Sequence, residues 1–384
     1  MDGFRFQTVG TIISEPGASA RLADLVRERG ASSAILVTDP GIRGLGLIDA
    51  AVDNLKSAGI DCVLFDQVEA DPSEATVLSA AALATERKVG AVIGFGGGSS
   101  MDVAKLVAFL AGSDQPLAEA YGVDQAKGER LPLIQVPTTA GTGSEVTQIA
   151  IVTTGEALKM GVVSPILFCD CAVLDADLTL GLPAHVTAAT GIDAMVHALE
   201  AYTSKIKKNP VSDALAREAL ALLGNNIRAV CRDGADRDAR ANMLLGSMLA
   251  GMAFSNAPCA AVHALAYPIG GHFHVAHGLS NSLVLPHVMR FNAPVAERHY
   301  AEVAPIAFPA VGSGSDGELT IRFIDSFEGL IDELGIERQL RQVGISHNQL
   351  PMMAEEAMKQ QRLLVNNPRE VTYDDALEIY QQAF

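Results

Sequence analysis

Short apolar segments alternate with amphipathic segments through the first part of the chain, and this order constrains the fold more than any other feature. SSAILVTD (32–39), IDCVLFDQV (60–68), AVIGFGGGSS (91–100) and LPLIQVPTT (131–139) have the length and composition of buried strands. The intervening segments have helical periodicity, and SEATVLSAAALATERKVG (73–90) begins with a capping Ser. Strands that alternate with helices predict an α/β domain, in which helices cover a parallel sheet.

The pattern changes near residue 184, where helical segments follow one another with little strand signal. Examples are VTAATGIDAMVHALEAYTS, SDALAREALALLGNNIRAVC and ELTIRFIDSFEGLIDELG. A chain of 384 residues is also too long for one ordinary hydrophobic core. We therefore predict two domains, an α/β domain over residues 1–183 and an all-helical domain over residues 184–384.

The sequence GFGGGSS joins a predicted strand to a predicted helix. Backbone N–H groups and the positive end of the helix dipole at such a turn hold a phosphate, and glycine lets a pyrophosphate approach the backbone. The spacing of Gly94, Gly96 and Ser99 only resembles G-x-G-x-x-G. The loop alone favours a phosphate site. A purely structural turn is the alternative, because tight strand–helix turns also use glycine.

Asp39 ends the first long strand and precedes the glycine loop, the reverse of the usual order in dinucleotide-binding domains. A carboxylate there accepts hydrogen bonds from ribose hydroxyls and repels a 2′-phosphate, which predicts NAD rather than NADP. The alternative is an ordinary Asp-Pro turn. PTTAGTGSEVT (137–147) adds small hydroxyl residues after another strand, which either reach the cofactor or form a polar loop.

Acidic and histidine residues cluster at two places in the helical half. Asp193 and His197 are four residues apart, so both side chains leave the same face of a helix. Residues 261–288 hold five of the nine histidines, namely His263, His272, His274, His277 and His287. One carboxylate with several imidazoles suits Fe(II) or Zn(II), and such a cation lowers the pKa of an alcohol oxygen. A structural metal and ordinary histidine packing remain the alternatives.

The overall charge and the cysteines disfavour other classes of protein. A formal net charge of −17 without a basic run argues against nucleic-acid and anionic-membrane partners. Five irregularly spaced cysteines are not a disulfide framework, and CDC (169–171) is a poor zinc spacing. The N-terminus lacks the features of a signal peptide, and no uninterrupted apolar run is long enough to span a membrane. We therefore expect a cytoplasmic protein.

Four motifs in this order resemble the iron-dependent (group III) alcohol dehydrogenase family. They are GFGGGSSMDVAK, PTTAGTGSEVT, GIDAMVHALEAY and VHALAYPIGGHFHVAHGLSNSLVLPHVMRFN, and the resemblance covers nearly the whole chain. It implies a dehydroquinate synthase-like architecture, with an α/β dinucleotide-binding domain, an all-α metal-binding domain and an active site in the cleft between them. It also implies a small alcohol or aldehyde substrate and a homodimer or higher homo-oligomer.

The resemblance assigns roles to individual residues. Its metal ligands fall on Asp193, His197, His263 and His277. Its cofactor-binding positions fall on Asp39, Gly96, Gly97, Gly98, Ser99, Thr138, Thr139, Thr142, Lys159 and Leu178. Without the resemblance, Lys159 would be interpreted as a solvated loop lysine. The positions that line the substrate side fall on Phe254 and Cys259.

Tyr267 departs from the pattern of the better-known members. Many of them carry a second histidine there, one turn after His263, and that histidine is credited with proton relay or substrate contact. Tyr267 should face the same cleft, and its hydroxyl has an unperturbed pKa near ~10. We predict catalytic positions for His263, Tyr267 and His277, and the proton path stays open. His272 and His274 have no assigned role.

The sequence as a whole predicts an NAD-dependent, metal-dependent alcohol dehydrogenase that interconverts primary alcohols and aldehydes. The metal would act as a Lewis acid on the alcohol oxygen and the nicotinamide would accept the hydride. Fe(II) is the expected metal, with Zn(II) as the alternative. A polyol (glycerol-type) dehydrogenase, a maleylacetate-type reductase or a cyclising synthase could use the same scaffold. A non-catalytic nucleotide or metal sensor is the alternative from another class.

Overall fold

The structure is a computed structural model that describes residues 3–155 and 158–384, and it divides into two compact units. One unit runs from Gln7 to Leu180. The other runs from Gly181 to Phe384 and includes the N-terminal residues up to Phe6. Each unit has its own architecture.

The first unit is built on a six-stranded sheet in the order β1-β9-β6-β4-β2-β3. Every neighbouring pair in this sheet is parallel, so the predicted parallel sheet is confirmed. A smaller sheet has the order β5-β8-β7, in which β7 and β8 are antiparallel. The strands are β1 Thr11–Ser14, β2 Ser33–Val37, β3 Asp61–Phe65, β4 Ala91–Gly96, β5 Gly122–Val123, β6 Leu133–Pro137, β7 Ile149–Thr154, β8 Leu158–Val163 and β9 Cys171–Leu174.

The central strands of the large sheet are apolar on both faces because the unit covers both faces. Along β2, Ile35 and Leu36 point to opposite faces and neither is exposed. Phe95 of β4 and Val136 of β6 are also fully buried. The helices of this unit are α1 Leu22–Glu28, α2 Pro40–Gly44, α3 Asp49–Ser57, α4 Glu74–Glu86, α5 Gly98–Gly112 and α6 Leu117–Ala120.

The smaller sheet was not predicted from the sequence. Lys159, for which a loop was the alternative considered, lies in β8 and pairs with Thr153 of β7. Its ammonium group forms an ion pair with Asp71, and only 11% of its side chain is exposed.

The second unit contains helices and no strand among its described residues, which confirms the predicted change of class. Its first helix, α7, packs against α8, α9 and α11. The helices are α7 Ala184–Thr203, α8 Pro210–Arg232, α9 Arg237–Asn256, α10 Ala261–Phe273, α11 His277–Ala307, α12 Asp316–Glu333, α13 Leu350–Met358, α14 Gln361–Leu364 and α15 Tyr373–Ala383.

In the described ranges, we find no single helix whose length and hydropathy would suit a membrane span. One pair, α9 with α10, meets the requirement only when its two helices are taken together, and they are bent by 107° at the break.

Candidate functional site

Four side chains from three helices converge in the second unit. Asp193 and His197 lie one turn apart on α7, His263 lies on α10, and His277 is the first residue of α11. One donor atom from each residue lies within 4.8 Å of the others. The Nε2 atoms of His197 and His263 are 2.9 Å apart, and Nε2 of His277 is 3.6 Å from Asp193 Oδ1. The structure therefore brings together all four residues predicted as metal ligands.

A glycine at the start of α11 permits this convergence. A Cβ atom on Gly278 would lie 2.3 Å from the carbonyl oxygen of Ala189, so a larger residue would push α11 away from α7. Gly278 follows His277 directly, and the close approach brings the His277 ring toward Asp193. The close packing of α11 against α7 therefore explains why a glycine follows His277.

The charges in the cluster favour metal binding. Burial alone would raise the pKa of Asp193. The nearby imidazoles and a hydrogen bond from Asn281 have a larger opposite effect, so the pKa of Asp193 is lowered; the imidazoles are those of His277, His197 and His263. Burial, with His197 and His277 nearby, lowers the pKa of His263 well below its usual value. An ionised carboxylate with neutral imidazoles is the donor set that Fe(II) and Zn(II) accept. The residues present therefore fit a divalent metal.

Two residues that the sequence analysis missed contact the cluster. Glu200 Oε2 lies 2.6 Å from His263 Nδ1, and Glu200 Oε1 accepts the Val262 N–H at 2.7 Å. Burial raises the pKa of Glu200 to about 7. Asn281 donates from Nδ2 to Asp193 Oδ1 at 2.6 Å. Glu200 follows Asp193 by seven residues and Asn281 follows His277 by four, so helical spacing was the signal that could have found them.

Phe254 and Cys259, predicted to line the substrate side, and Tyr267, predicted as catalytic, lie at different positions around the cluster. The Phe254 ring stacks on the His197 ring, with centroids 4.3 Å apart and an interplanar angle of 18°. The Tyr267 ring lies 6.3 Å from the His277 ring. Cys259 Sγ lies within 4.8 Å of donor atoms of Glu200 and His263, and burial raises its pKa well above its usual value. Phe254 therefore supplies an apolar wall, whereas Cys259 is a buried neutral thiol.

The other histidines of residues 261–288 lie outside the four-residue cluster. His272 and His274 are exposed, and His274 ends α10 in the left-handed conformation at φ 54°. His287 lines a separate cavity of about 380 Å³ together with Glu328 and Arg338. Burial and the nearby Arg290 lower the pKa of His287 to about 4.

In the first unit, the glycine loop lines a cavity of about 490 Å³. Helix α5 begins at Gly98, with Gly97 as an N-cap that has no capping side chain. The cavity is therefore next to a helix start, where backbone N–H groups lack helical partners. Its lining residues include Asp39, Gly97, Gly98 and Ser99, which the sequence predicted as cofactor-binding, and also Ser100.

Both interpretations of Asp39 agree with its surroundings. Its Oδ1 accepts the Ile42 N–H at 2.9 Å, so Asp39 is the N-cap of α2, as an Asp-Pro turn would require. Its Oδ2 lies 3.4 Å from Ser100 Oγ, and the residue lines the cavity. The capping role uses one carboxylate oxygen and leaves the other beside the glycine loop.

The threonines predicted as cofactor contacts pack against the glycine loop. Gly96 has φ 151°, and a Cβ there would lie 2.7 Å from Ser100 Oγ. A Cβ on Gly98 would lie 2.9 Å from Thr142 Cγ2, and one on Gly97 would lie 3.9 Å from Thr139 Oγ1. Thr138 is buried, and its N–H donates to the Gly96 carbonyl at 3.0 Å.

The structure does not bring every predicted cofactor residue to this cavity. Lys159 forms an ion pair with Asp71, and Leu178 belongs to the hydrophobic core that contains Leu36 and Phe95. Neither residue lines the cavity as far as the described chain goes. Their predicted cofactor contacts stay predictions.

A buried lysine ties α5 to the segment that follows Thr142. Lys105 is fully buried, and its Nζ donates to Ser144 Oγ at 2.7 Å and to the Ile149 carbonyl at 2.6 Å. Its ion-pair partner, Asp102, also accepts the Ser144 hydroxyl at 2.6 Å. The sequence analysis assigned no role to Lys105, because a single lysine in a predicted helix gives no sign of its tertiary partners.

Comparisons with known proteins agree with this geometry. Two family models match the chain, "Iron-containing alcohol dehydrogenase" over residues 10–176 and "Fe-containing alcohol dehydrogenase family, C-terminal" over residues 187–384. Long-chain-alcohol dehydrogenase 1 of Geobacillus thermodenitrificans (strain NG80-2) is 39% identical over 375 residues, covering 96% of this chain and 93% of the relative.

Solved structures with similar folds extend the comparison. A 1,3-propanediol oxidoreductase has a TM-score of 0.96 at 34% identity, with 100% of each chain covered. Sulfoacetaldehyde reductase from Bifidobacterium kashiwanohense, solved in complex with NAD+, has a TM-score of 0.89 at 26% identity. That match covers 100% of this chain and 99% of the reductase.

Proposed function

The chain belongs to the iron-containing alcohol dehydrogenase family, and from this premise we propose that it interconverts primary alcohols and aldehydes with NAD as the hydride carrier. The family predicted from the four motifs is confirmed, and so is the class of enzyme, an oxidoreductase. The single observation that carries the proposal is the convergence of Asp193, His197, His263 and His277.

These four residues would hold the metal, with Fe(II) as the native ion and Zn(II) as the alternative. When bound, the metal supplies Lewis-acid chemistry to the substrate oxygen, and NAD supplies the hydride acceptor. The chain itself holds the donor atoms in place, because Asn281 fixes Asp193 and Phe254 packs on His197. The stacked Phe254 ring also excludes water from that side of the cluster.

The cavity beside the glycine loop would hold the NAD pyrophosphate at the start of α5. The Oδ2 atom of Asp39, which accepts a long contact from Ser100 Oγ, would also accept a hydrogen bond from a ribose hydroxyl, and the carboxylate charge would repel the 2′-phosphate of NADP. The NAD+ complex of the related sulfoacetaldehyde reductase supports this choice of cofactor.

The names of the relatives support a small alcohol or aldehyde as the substrate. They act, as named, on long-chain alcohols, 1,3-propanediol and sulfoacetaldehyde. In these named substrates the reacting carbon carries either an apolar chain or a short one. We therefore place primary alcohols with an apolar or short carbon chain first among the candidate substrates.

The test combines metal analysis with turnover. Purified protein is loaded anaerobically with Fe(II) or Zn(II), quantified for metal, and assayed at 340 nm against primary alcohols and aldehydes with NAD and NADP. We expect about one metal per chain, because the cluster offers one set of four donors. We also expect turnover that prefers NAD.

A pair of histidine variants provides the control. His263→Ala should lose both the metal and turnover, because it removes a donor. His272→Ala removes an exposed histidine of the same helix and should retain both. Metal-loaded protein that turns over none of the substrates would instead favour the non-catalytic sensor, and unchanged activity in His263→Ala would remove the metal from the reaction.

We further propose that the chain works in the cytoplasm as a homodimer or a higher homo-oligomer. The thiols support a reducing compartment, because Cys62, Cys169, Cys171, Cys231 and Cys259 are all free. Size-exclusion chromatography with light scattering measures the mass in solution, and a mass near 40.2 kDa would mean a monomer and contradict the oligomer.

A further inference from the structure

We propose that Glu200 is the positioning residue for His263, and that it turns the Nε2 atom of this imidazole toward the other three donors. The inference rests on the proposed metal centre. It assigns a function to a buried acid that lies on α7 with Asp193 and His197 but is not one of the four proposed ligands.

The geometry around His263 engages its two ring nitrogens separately. Nδ1 lies 2.6 Å from Glu200 Oε2, and Nε2 lies 2.9 Å from the Nε2 atom of His197. Glu200 and His263 are each only 4% exposed, so water does not compete for either contact. The ring is therefore held at Nδ1 while Nε2 faces the cluster.

Hydrogen-bond chemistry decides which nitrogen carries the proton. A neutral imidazole has one N–H, and the other nitrogen has a lone pair that can bind a metal. With the proton on Nδ1, His263 donates to Glu200 and keeps the Nε2 lone pair for the metal. With the proton on Nε2, the Nδ1 lone pair would either face an ionised carboxylate at 2.6 Å, which is repulsive, or accept from a protonated Glu200, and in both cases Nε2 would have no lone pair for a metal. Carboxylates commonly orient metal-binding histidines in this way.

Glu200 has a second contact that a purely structural role would explain. Its Oε1 accepts the N–H of Val262 at 2.7 Å, and Val262 lies in the first turn of α10, which has no side-chain cap from its N-cap residue Ala260. Glu200 therefore also caps the helix that carries His263. The test has to separate this capping role from the positioning of the metal ligand.

The variant Glu200→Gln separates the two roles through metal affinity. A glutamine has one acceptor oxygen and one NH₂ group, so it cannot accept from both Val262 and His263. If its oxygen keeps the helix cap, its NH₂ group faces His263 Nδ1 and favours the tautomer that cannot bind a metal through Nε2. We expect the affinity of the metal-free protein for Co²⁺, followed by its visible absorption, to fall about 10- to 100-fold.

Thr203→Val is the matched control. Thr203 is a buried residue of the same helix, and among the described residues its hydroxyl bonds within α7, to the Leu199 carbonyl at 3.0 Å and the Glu200 carbonyl at 3.5 Å. Its removal should leave the Co²⁺ affinity unchanged. NADH affinity should also be unchanged in both variants. A folded Glu200→Gln protein that binds Co²⁺ as tightly as the wild type would overturn the inference.

The outcome distinguishes this inference from the proposed function. If the wild-type protein binds no Co²⁺, the metal centre itself is wrong and the inference falls with it. If Glu200→Gln does not fold, the inference is tested by NMR on the wild-type protein loaded with Zn²⁺. Its ¹⁵N-histidine spectrum should contain a deshielded, slowly exchanging Nδ1–H with a nuclear Overhauser contact to the Val262 amide. A His263 ring whose proton is on Nε2 would overturn the inference.

Discussion

Replacing Gly97 by alanine tests the proposed cofactor site without disturbing the protein around it. Gly97 is the N-cap of α5 and has φ −77°, a value that any residue adopts. A Cβ atom there would meet only Thr139 Oγ1, at 3.9 Å, which is ordinary contact. The added methyl group therefore fits the protein and can intrude only on what occupies the cavity that Gly97 lines.

The expected stability change is small and the expected change in affinity is large. Alanine lowers the conformational entropy of the unfolded chain, which stabilises the folded protein by about 0.4–1 kcal/mol. It is also a poorer N-cap than glycine, which destabilises the protein by a similar amount. A methyl group that displaces a phosphate from one backbone N–H removes a charge-assisted hydrogen bond of about 1.5–3 kcal/mol. The Kd for NADH should then rise about 10- to 150-fold.

NADH fluorescence titration and thermal unfolding provide the two measurements. Gly59→Ala is the control because Gly59 has φ 73°, has no neighbour within 4 Å of an added Cβ, and does not line the cavity. That variant should lose about 1–2 kcal/mol of stability, from the left-handed backbone, and bind NADH normally. If Gly97→Ala binds NADH as tightly as the wild-type protein, the dinucleotide does not approach this loop and the proposed cofactor site is wrong.

Two further variants test the first unit. Asp39→Asn keeps an N-cap for α2 and removes the charge beside the cavity, so the ratio of kcat/KM for NADP to that for NAD should rise about tenfold or more. An unchanged ratio in steady-state assays would show that Asp39 does not determine which cofactor is used. Lys105→Met removes the cation that pairs with the Asp102 carboxylate, and it should lower the free energy of unfolding by about 3 kcal/mol, because the remaining charge of a buried ion pair is left uncompensated. Urea unfolding measures this change. A midpoint equal to that of the wild type would show that the network does not stabilise the protein.

Three of the four strands that the sequence predicted, β2, β4 and β6, are buried on both faces, whereas β3 is a half-buried edge strand. The buried strand β9 was not predicted. β2 and β4 consist of continuous apolar residues because the large sheet is covered on both sides. β1 is exposed along most of its length and lies at the sheet edge, so its sequence TIIS has no burial pattern to read. β7 and β8 pair in a smaller sheet, and their apolar runs are short: β7 ends in two threonines, and β8 is interrupted by Lys159 and Gly161.

In the metal cluster, the sequence predicted the residues whose spacing one helix fixes and missed those whose roles depend on tertiary packing. Asp193 and His197 could be paired from the sequence because one helix fixes their spacing. Glu200 and Asn281 are also at helical spacing from a ligand, but a polar residue on a helix is common. Their roles depend on which faces of α7, α10 and α11 meet, and that is decided by tertiary contacts such as Gly278 against Ala189. Local periodicity carries no information about those contacts.

The burial of the four donors determines the side from which a substrate can approach the cluster. His197 and His263 are each 4% exposed, and Asp193 is 1% exposed. Phe254 packs on the His197 ring, and Glu200 contacts Nδ1 of His263. Asn281 Nδ2 lies on the donor side, 2.6 Å from Asp193 Oδ1 and 3.3 Å from the Nε2 atoms of His263 and His277. By contrast, 37% of the His277 side chain is exposed, so the accessible side of the cluster is the side of His277. The half-buried Tyr267 ring lies 6.3 Å from the His277 ring. The prediction that Tyr267 takes the place of a histidine in the better-known members stays a prediction. A tyrosine hydroxyl can donate or accept a hydrogen bond on this side of the cluster, and it carries no positive charge.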